Sequence, residues 1–293
     1  MLGLKGKKIL LGIHITFISI WIGTLIVVLL LMFIKNSSFN ISQIAVVDKV
    51  IFLLSDNIIM NVSIAVALSG LIFSMFTSWG FIKFYWIIVK WILVILLGCV
   101  IMFLSGPAMN GAAALSDVFN VQVLSNPDYL QYEKLSLQYS LIQIILLIFI
   151  VFISVIKPWG PRKTKKKTNR KIVLSAGLIF GIALIGSIVS QYLQLQHFRN
   201  LKINVINLDT IPDGNYHGKV DYAFEYEVAV KVENHRISDI QFLKNRDSYY
   251  AKLAEGIKYK IIREQKIDID AVTGATTTSK IFLKAVEKAL SSN

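Results

Sequence analysis

Apolar residues form long unbroken runs through the first two thirds of the chain and short periodic patterns after that. Runs at Ile9–Ile34, Ile58–Trp79, Phe84–Leu104, Leu141–Ile156 with its flanks, and Ile172–Gln191 approach or exceed the roughly 20 residues that cross a bilayer as a helix. They predict about five transmembrane helices, with a four-helix module over 1–171 and a fifth span over 172–194. The first run is far longer than the core of a secretion signal and is followed by no small-residue cleavage site, so it reads as a retained span.

From residue 195 the pattern changes to that of a small α+β domain over 195–293. Val220, Tyr222, Phe224, Tyr226, Val228, Val230 and Val232 alternate with Asp221, Glu225, Glu227 and Lys231, which predicts a half-buried strand or a bent strand pair. Glu233-Asn234-His235 reads as a turn into a strand near Arg236–Leu243. Tyr250, Leu253, Ala254, Ile257, Ile261 and Ile262 then fall on one stripe of an amphipathic helix. A short strand is expected at Lys266–Asp270. A final helix of about twelve residues should turn Phe282, Ala285, Val286, Ala289 and Leu290 inward.

Charge orients the spans. The N-terminus carries Lys5, Lys7 and Lys8, Lys83 follows the second run, and the 157–171 connection is densely basic. The alternate connections, about 35–57 and 105–138, hold Lys35, Lys49 and Lys134 against Asp48, Asp56, Asp117, Asp128 and Glu133. Positive charge collects on the cytoplasmic side of a membrane protein. The expected arrangement is therefore a cell-membrane multi-pass chain with a cytoplasmic N-terminus and, after five spans, an extracytoplasmic C-terminal domain. The 157–171 run is an orientation signal on this reading, with anionic-lipid docking as the alternative. The connection 105–138 is long and begins with Gly106-Pro107-Ala108-Met109-Asn110-Gly111; it folds over the membrane surface or meets a partner.

The formal net charge of +13 does not signal nucleic-acid binding, because residues 195–293 hold 15 Lys and Arg against 13 Asp and Glu. The excess lies beside apolar runs. The one cysteine, Cys99, reads as a small buried hydrophobe. His14 in the first span shares a helix face with Trp21. It is either a polar packing contact or a ligand of haem or quinone, though no second span histidine completes a haem pair. The His14-x6-Trp21-Ile22-Gly23 pattern resembles membrane families of the copper-resistance D type, over too few residues to imply a function. Lys90 is expected to snorkel, Trp79, Trp86 and Trp159 to lie in interfacial belts, and Gly177 and Gly181 to permit close helix packing. His197, His217 and His235 share no metal-ligand spacing.

The chemistry concentrates at Asp270-Ala271-Val272-Thr273-Gly274-Ala275-Thr276-Thr277-Thr278-Ser279. Gly274 permits a tight turn and the close approach of a bulky group. Thr277, Thr278 or Ser279 is placed to cap the last helix, whose N-terminus suits a phosphate. On its own such a run is more often just a turn with an N-cap.

The stretch resembles the D-x-x-[ST]-G-A-T-x-x-S signature of the FMN-binding domain family, found in the C subunit of the sodium-pumping NADH:quinone reductase and the G subunit of the Rnf complex. Asp213-Gly214-x-Tyr216-x-Gly218, the Val228–Val232 strand and the terminal helix extend the resemblance to about 80 residues. It implies that a flavin transferase attaches FMN covalently, through a phosphoester, to Thr276, with Asp270, Thr273, Gly274 and Ala275 as the recognition motif and Ser279 beside it. The segment between Phe242 and Gln265 departs from longer members, and no flavin-ring contacts follow from it.

The function implied is a membrane-anchored flavoprotein that carries electrons from quinol or a partner subunit to an extracytoplasmic acceptor. A redox sensor or assembly subunit with FMN and no turnover is the alternative. The chain has no NAD fingerprint, no iron–sulfur cysteines and no other recognisable catalytic set, so its standing as an enzyme rests on electron transfer. A transporter is disfavoured because intramembrane charge is scarce.

Overall fold

The computed structural model describes residues 3–38, 41–77, 79–162, 175, 178–179, 182, 186, 189–190, 192–193, 195–222 and 224–291. The chain divides into two compact units. The first holds Met1–Asn40, Val50–Met109 and Gln131–Val189; the second holds Ile41–Lys49, Asn110–Leu130 and Ser190–Asn293.

The N-terminal half is helical. α1 spans Leu4–Ser38 and α2 spans Ile41–Leu53, which continues through a π turn at Leu54–Ile59 into α3, Met60–Phe76. α4, Tyr85–Val100, likewise continues through Ile101–Ser105 into α5, Gly106–Phe119, and α6 covers Pro127–Ile156. Among the described residues four helical stretches are long and apolar enough to cross a membrane: Leu4–Lys35, Gln43–Phe76, Tyr85–Phe119 and Pro127–Ile156. The expected fifth span, Ile172–Gln191, with Gly177 and Gly181, falls largely outside the described residues, as does most of the basic 157–171 run.

The helices overrun the apolar segments that predict them. The 35–57 and 105–138 connections are mostly helix, and the latter shrinks to a turn of 3-10 helix at Asn120–Ser125. Polar helix ends propagate because each added residue completes a backbone bond once the span has nucleated.

In the first unit His14 Nδ1 lies 2.6 Å from Ser69 Oγ, a buried polar contact, and the His14 ring meets Phe73 edge-on. Lys35 is buried and pairs with Glu133 at 3.2 Å. Trp86 is buried against the protein, whereas Trp159 is exposed; the Lys157 Nζ sits 5.1 Å from the Trp79 ring. Cys99 is exposed, contrary to its reading as a buried hydrophobe. It shares the outer surface with Leu96, Met102 and Phe103, apolar side chains that suit contact with lipid, and a thiol is as apolar as its neighbours there.

The second unit is built on a three-stranded antiparallel sheet in the order β1-β2-β3, with β1 at Gly214–Asp221, β2 at Glu225–Glu233 and β3 at Arg236–Lys244. The period-two pattern is thus a strand pair. Val220, Tyr226, Val228, Val230 and Val232 are buried, whereas Phe224 at the bend is exposed with Arg246 over its ring. The β2–β3 hairpin turns on Asn234 and His235, at φ 53° and 56°. Two left-handed residues match the twist of a two-residue hairpin. The Asp213 carboxylate fastens that turn by accepting from the backbone N–H of Asn234 at 2.8 Å and of His235 at 3.0 Å.

Among the described residues three helices follow the sheet: α7, Tyr249–Ala254, α8, Ile257–Glu264, and α9, Thr276–Ser291. The single helix expected over 250–262 is broken at Gly256. A Cβ there would lie 2.7 Å from Val118 Cγ2, so Val118 packs where any other residue would place its side chain. The strand expected at Lys266–Asp270 does not form. Gln265, in the left-handed region at φ 52°, takes its place at the edge of β3: its Oε1 accepts from Ile237 N–H at 2.9 Å and its Nε2 donates to the Ile237 carbonyl at 3.0 Å. A side-chain amide thus closes the edge. α9 packs across β1 and β2, with Phe282, Ala285, Val286, Ala289 and Leu290 all buried.

Candidate flavin site

The final glycine of the Asp213–Gly218 motif determines how α9 lies. A Cβ at Gly218 would fall 2.0 Å from the Ala285 carbonyl oxygen and 2.8 Å from Ala289 Cβ. Only glycine allows β1 to approach the helix this closely. Tyr216 donates its hydroxyl to the Pro212 carbonyl at 2.7 Å, and Asp213 holds the neighbouring hairpin. The motif is thus a packing device that sets the helix whose first turn carries the threonines.

Thr276 is the first residue of α9 and is partly exposed. Ala275 N–H donates to the Val272 carbonyl at 3.0 Å, and the helix ladder begins with Ser279 N–H to the Ala275 carbonyl at 3.0 Å. The N–H groups of Thr276, Thr277 and Thr278 precede that ladder, leaving a helix mouth suited to an anion. Gly274 has φ +80°, which makes the turn possible. An Oγ in this position beside unladdered amides fits a phosphoester.

The capping expectation changes accordingly. Thr277, Thr278 and Ser279 lie inside the first turn rather than ahead of it. The buried Ser279 Oγ instead accepts from the Val272 N–H at 3.2 Å, tying the helix back to the strand-side turn. Thr278 is buried and hydrogen-bonds the Tyr226 hydroxyl, whose pKa burial pushes up.

The remaining motif residues separate. Asp270 is exposed, Ala275 is buried, and Thr273 is 7% exposed. What buries Thr273 is the Asn110–Phe119 part of α5. Asp117 Oδ2 accepts from the Thr273 backbone N–H at 2.9 Å and from its Oγ1 at 3.0 Å. Lys260 Nζ, itself buried, lies 3.3 Å from both Asp117 oxygens. Asn110 covers Gly274, with its carbonyl oxygen and Cβ each 3.2 Å from where a Cβ would stand, and its Nδ2 donates to the Tyr250 hydroxyl at 3.2 Å. Arg263 Nη1 donates to the Val118 carbonyl at 3.1 Å, while Ala114 and Val118 enter the domain core.

Sequence reasoning missed Asp117, Asn110 and Lys260. Asp117 registered only as an acidic loop residue, and Lys260 interrupts an apolar stripe; no spacing rule links either to a motif so far along the chain.

Residues 8–158 match a family described as predicted integral membrane protein (DUF2269), more than half of the chain. The protein belongs to that family. Residues 221–291 match the FMN-binding domain, so an FMN-binding domain follows the integral membrane region in one chain. The match covers β2, β3 and the whole Thr273–Thr276 turn with α9. No curated protein and no solved structure matches the chain.

Proposed function

We propose that this membrane-anchored FMN protein carries its flavin as a phosphoester of Thr276 and relays electrons from a membrane donor, quinol or a partner subunit, to an acceptor outside the cytoplasm. One observation carries the covalent reading: Thr276 is the partly exposed first residue of α9, directly after a left-handed glycine and beside amides that precede the helix ladder.

Attachment needs FAD and a flavin transferase. The Thr276 Oγ attacks the flavin-side phosphorus of FAD, a new O–P bond replaces the diphosphate bond, AMP departs, and the hydroxyl proton passes to a base of the transferase. The helix mouth then faces the phosphoester, and its partial positive charge favours the anion. Bound FMN supplies both one- and two-electron chemistry.

The basic residues at 5–8, 83 and 157–171 support a cytoplasmic N-terminus, and an odd number of spans would put Thr276 on the opposite side. A tethered flavin there cannot be lost to dilution.

The test is co-expression of the full chain with a flavin transferase, followed by denaturing electrophoresis and intact-mass analysis. A fluorescent band heavier by one FMN, absent from Thr276→Ala, is the expected result. A band that survives Thr276→Ala, or an unmodified wild-type chain, refutes the assignment.

A further inference from the structure

The turn that presents Thr276 is held from two sides. From within, Ser279 Oγ accepts from the Val272 N–H. From without, the Asn110–Phe119 segment of α5 holds the next two residues: Asp117 takes both donors of Thr273, and Asn110 lies against Gly274. Nothing else among the described hydrogen bonds holds the Thr273 side chain. The charge of Asp117 is balanced by Lys260, whose side chain is 6% exposed. The two form a partly buried pair that would be costly to assemble without a purpose for its geometry.

We infer that Asp117 is a positioning residue for flavin attachment: by holding the Thr273 amide and hydroxyl it fixes the turn from which the Thr276 hydroxyl is offered to the transferase. The inference rests on the covalent reading of Thr276. It also makes a residue of the integral membrane family's own stretch, 8–158, part of the flavin site. Two hydrogen bonds to one carboxylate oxygen restrain the residue three positions before the nucleophile. Loss of that restraint releases the Val272–Ala275 turn and misplaces the Oγ, an error that costs group-transfer reactions heavily.

The experiment separates acceptor geometry from the ion pair. In the full chain, Asp117→Leu with Lys260→Met removes both charges and the acceptor, while Asp117→Asn with Lys260→Gln removes the charges but keeps a carbonyl that can accept from Thr273. Each is co-expressed with the transferase, and the rate of FMN gain at Thr276 under saturating FAD is compared with thermal unfolding of the detergent-purified protein. The Leu/Met chain is expected to stay folded and to gain FMN about tenfold more slowly or worse, and the Asn/Gln chain to recover most of the wild-type rate.

Equal or faster modification of the Leu/Met chain overturns the inference, as does failure of the Asn/Gln chain to recover. One measurement needs no variant: amide exchange in the wild type should show the Thr273 N–H protected, and exchange at the rate of an unbonded amide overturns the inference too. An unmodified wild type would instead refute the covalent reading itself, so the two failures are distinguishable.

Discussion

Asp117 and Thr273, 156 residues apart, are joined by two hydrogen bonds to a single carboxylate oxygen, at 2.9 and 3.0 Å. The contact ties the C-terminal end of α5 to the turn of the flavin motif, and it brings Lys260 with it.

Asp117→Ala should therefore destabilise the C-terminal unit by about 3–5 kcal/mol, because it leaves the buried Lys260 ammonium without its counter-charge. Adding Lys260→Met should restore a large part of the loss. Denaturant unfolding followed by the fluorescence of the domain checks both; a single Asp117→Ala chain as stable as wild type would contradict the burial of the pair.

Gly218→Ala puts a methyl group where the Ala285 carbonyl already lies, 2.0 Å away. Backbone has to move, and the expected cost is at the upper end of the about 1–3 kcal/mol typical of overpacking, or beyond it. Gly214→Ala, whose Cβ would meet only the Tyr216 ring at 3.7 Å, should cost much less. Unfolding midpoints of the two variants compare the sites directly.

Acid should loosen the β2–β3 hairpin before the core. The backbone amides of His235, first, and Asn234 hold the Asp213 carboxyl below its ordinary value, so its folded pKa is depressed. Its contribution is then fully present above the unfolded carboxylate value and is lost as pH falls through the lower, folded one. The Glu225 carboxylate, drawn down to about 2 first by Lys219 and then by Lys244, follows the same sign at the β1–β2 bend. Protection of the Asn234 and His235 amides should fall across that acid window in wild type and be weak at every pH in Asp213→Ala.

Gln265→Ala opens the β3 edge that its side chain closes. The Ile237 N–H and C=O both lose their partner, for a cost of about 1–3 kcal/mol. Amide exchange at Ile237 should rise while Val230 in the central strand is unchanged.

Several features were legible because their causes are local. The hairpin at Asn234-His235 follows from two residues that tolerate the left-handed region, and the buried face of β2 follows from strict alternation. The inward face of α9 follows from a helical period. The failures have local signatures too, visible only afterwards. The stripe over 250–262 has the right period for one helix, yet Gly256 breaks it where Val118 arrives from elsewhere. The 266–270 run looks like a strand, yet its place at the sheet edge is taken by a single glutamine.

The chain's own pattern predicted about five apolar helices ahead of a small α+β domain, four of which lie among the described residues, and a glycine turn that delivers Thr276 to a helix mouth. Each depends on spacings of a few residues, where backbone geometry leaves little choice. Only the tertiary structure decided that Asp117, Asn110 and Lys260 surround that turn. A hydrogen bond between distant residues needs complementary groups and a shared location, and periodicity supplies the first without the second.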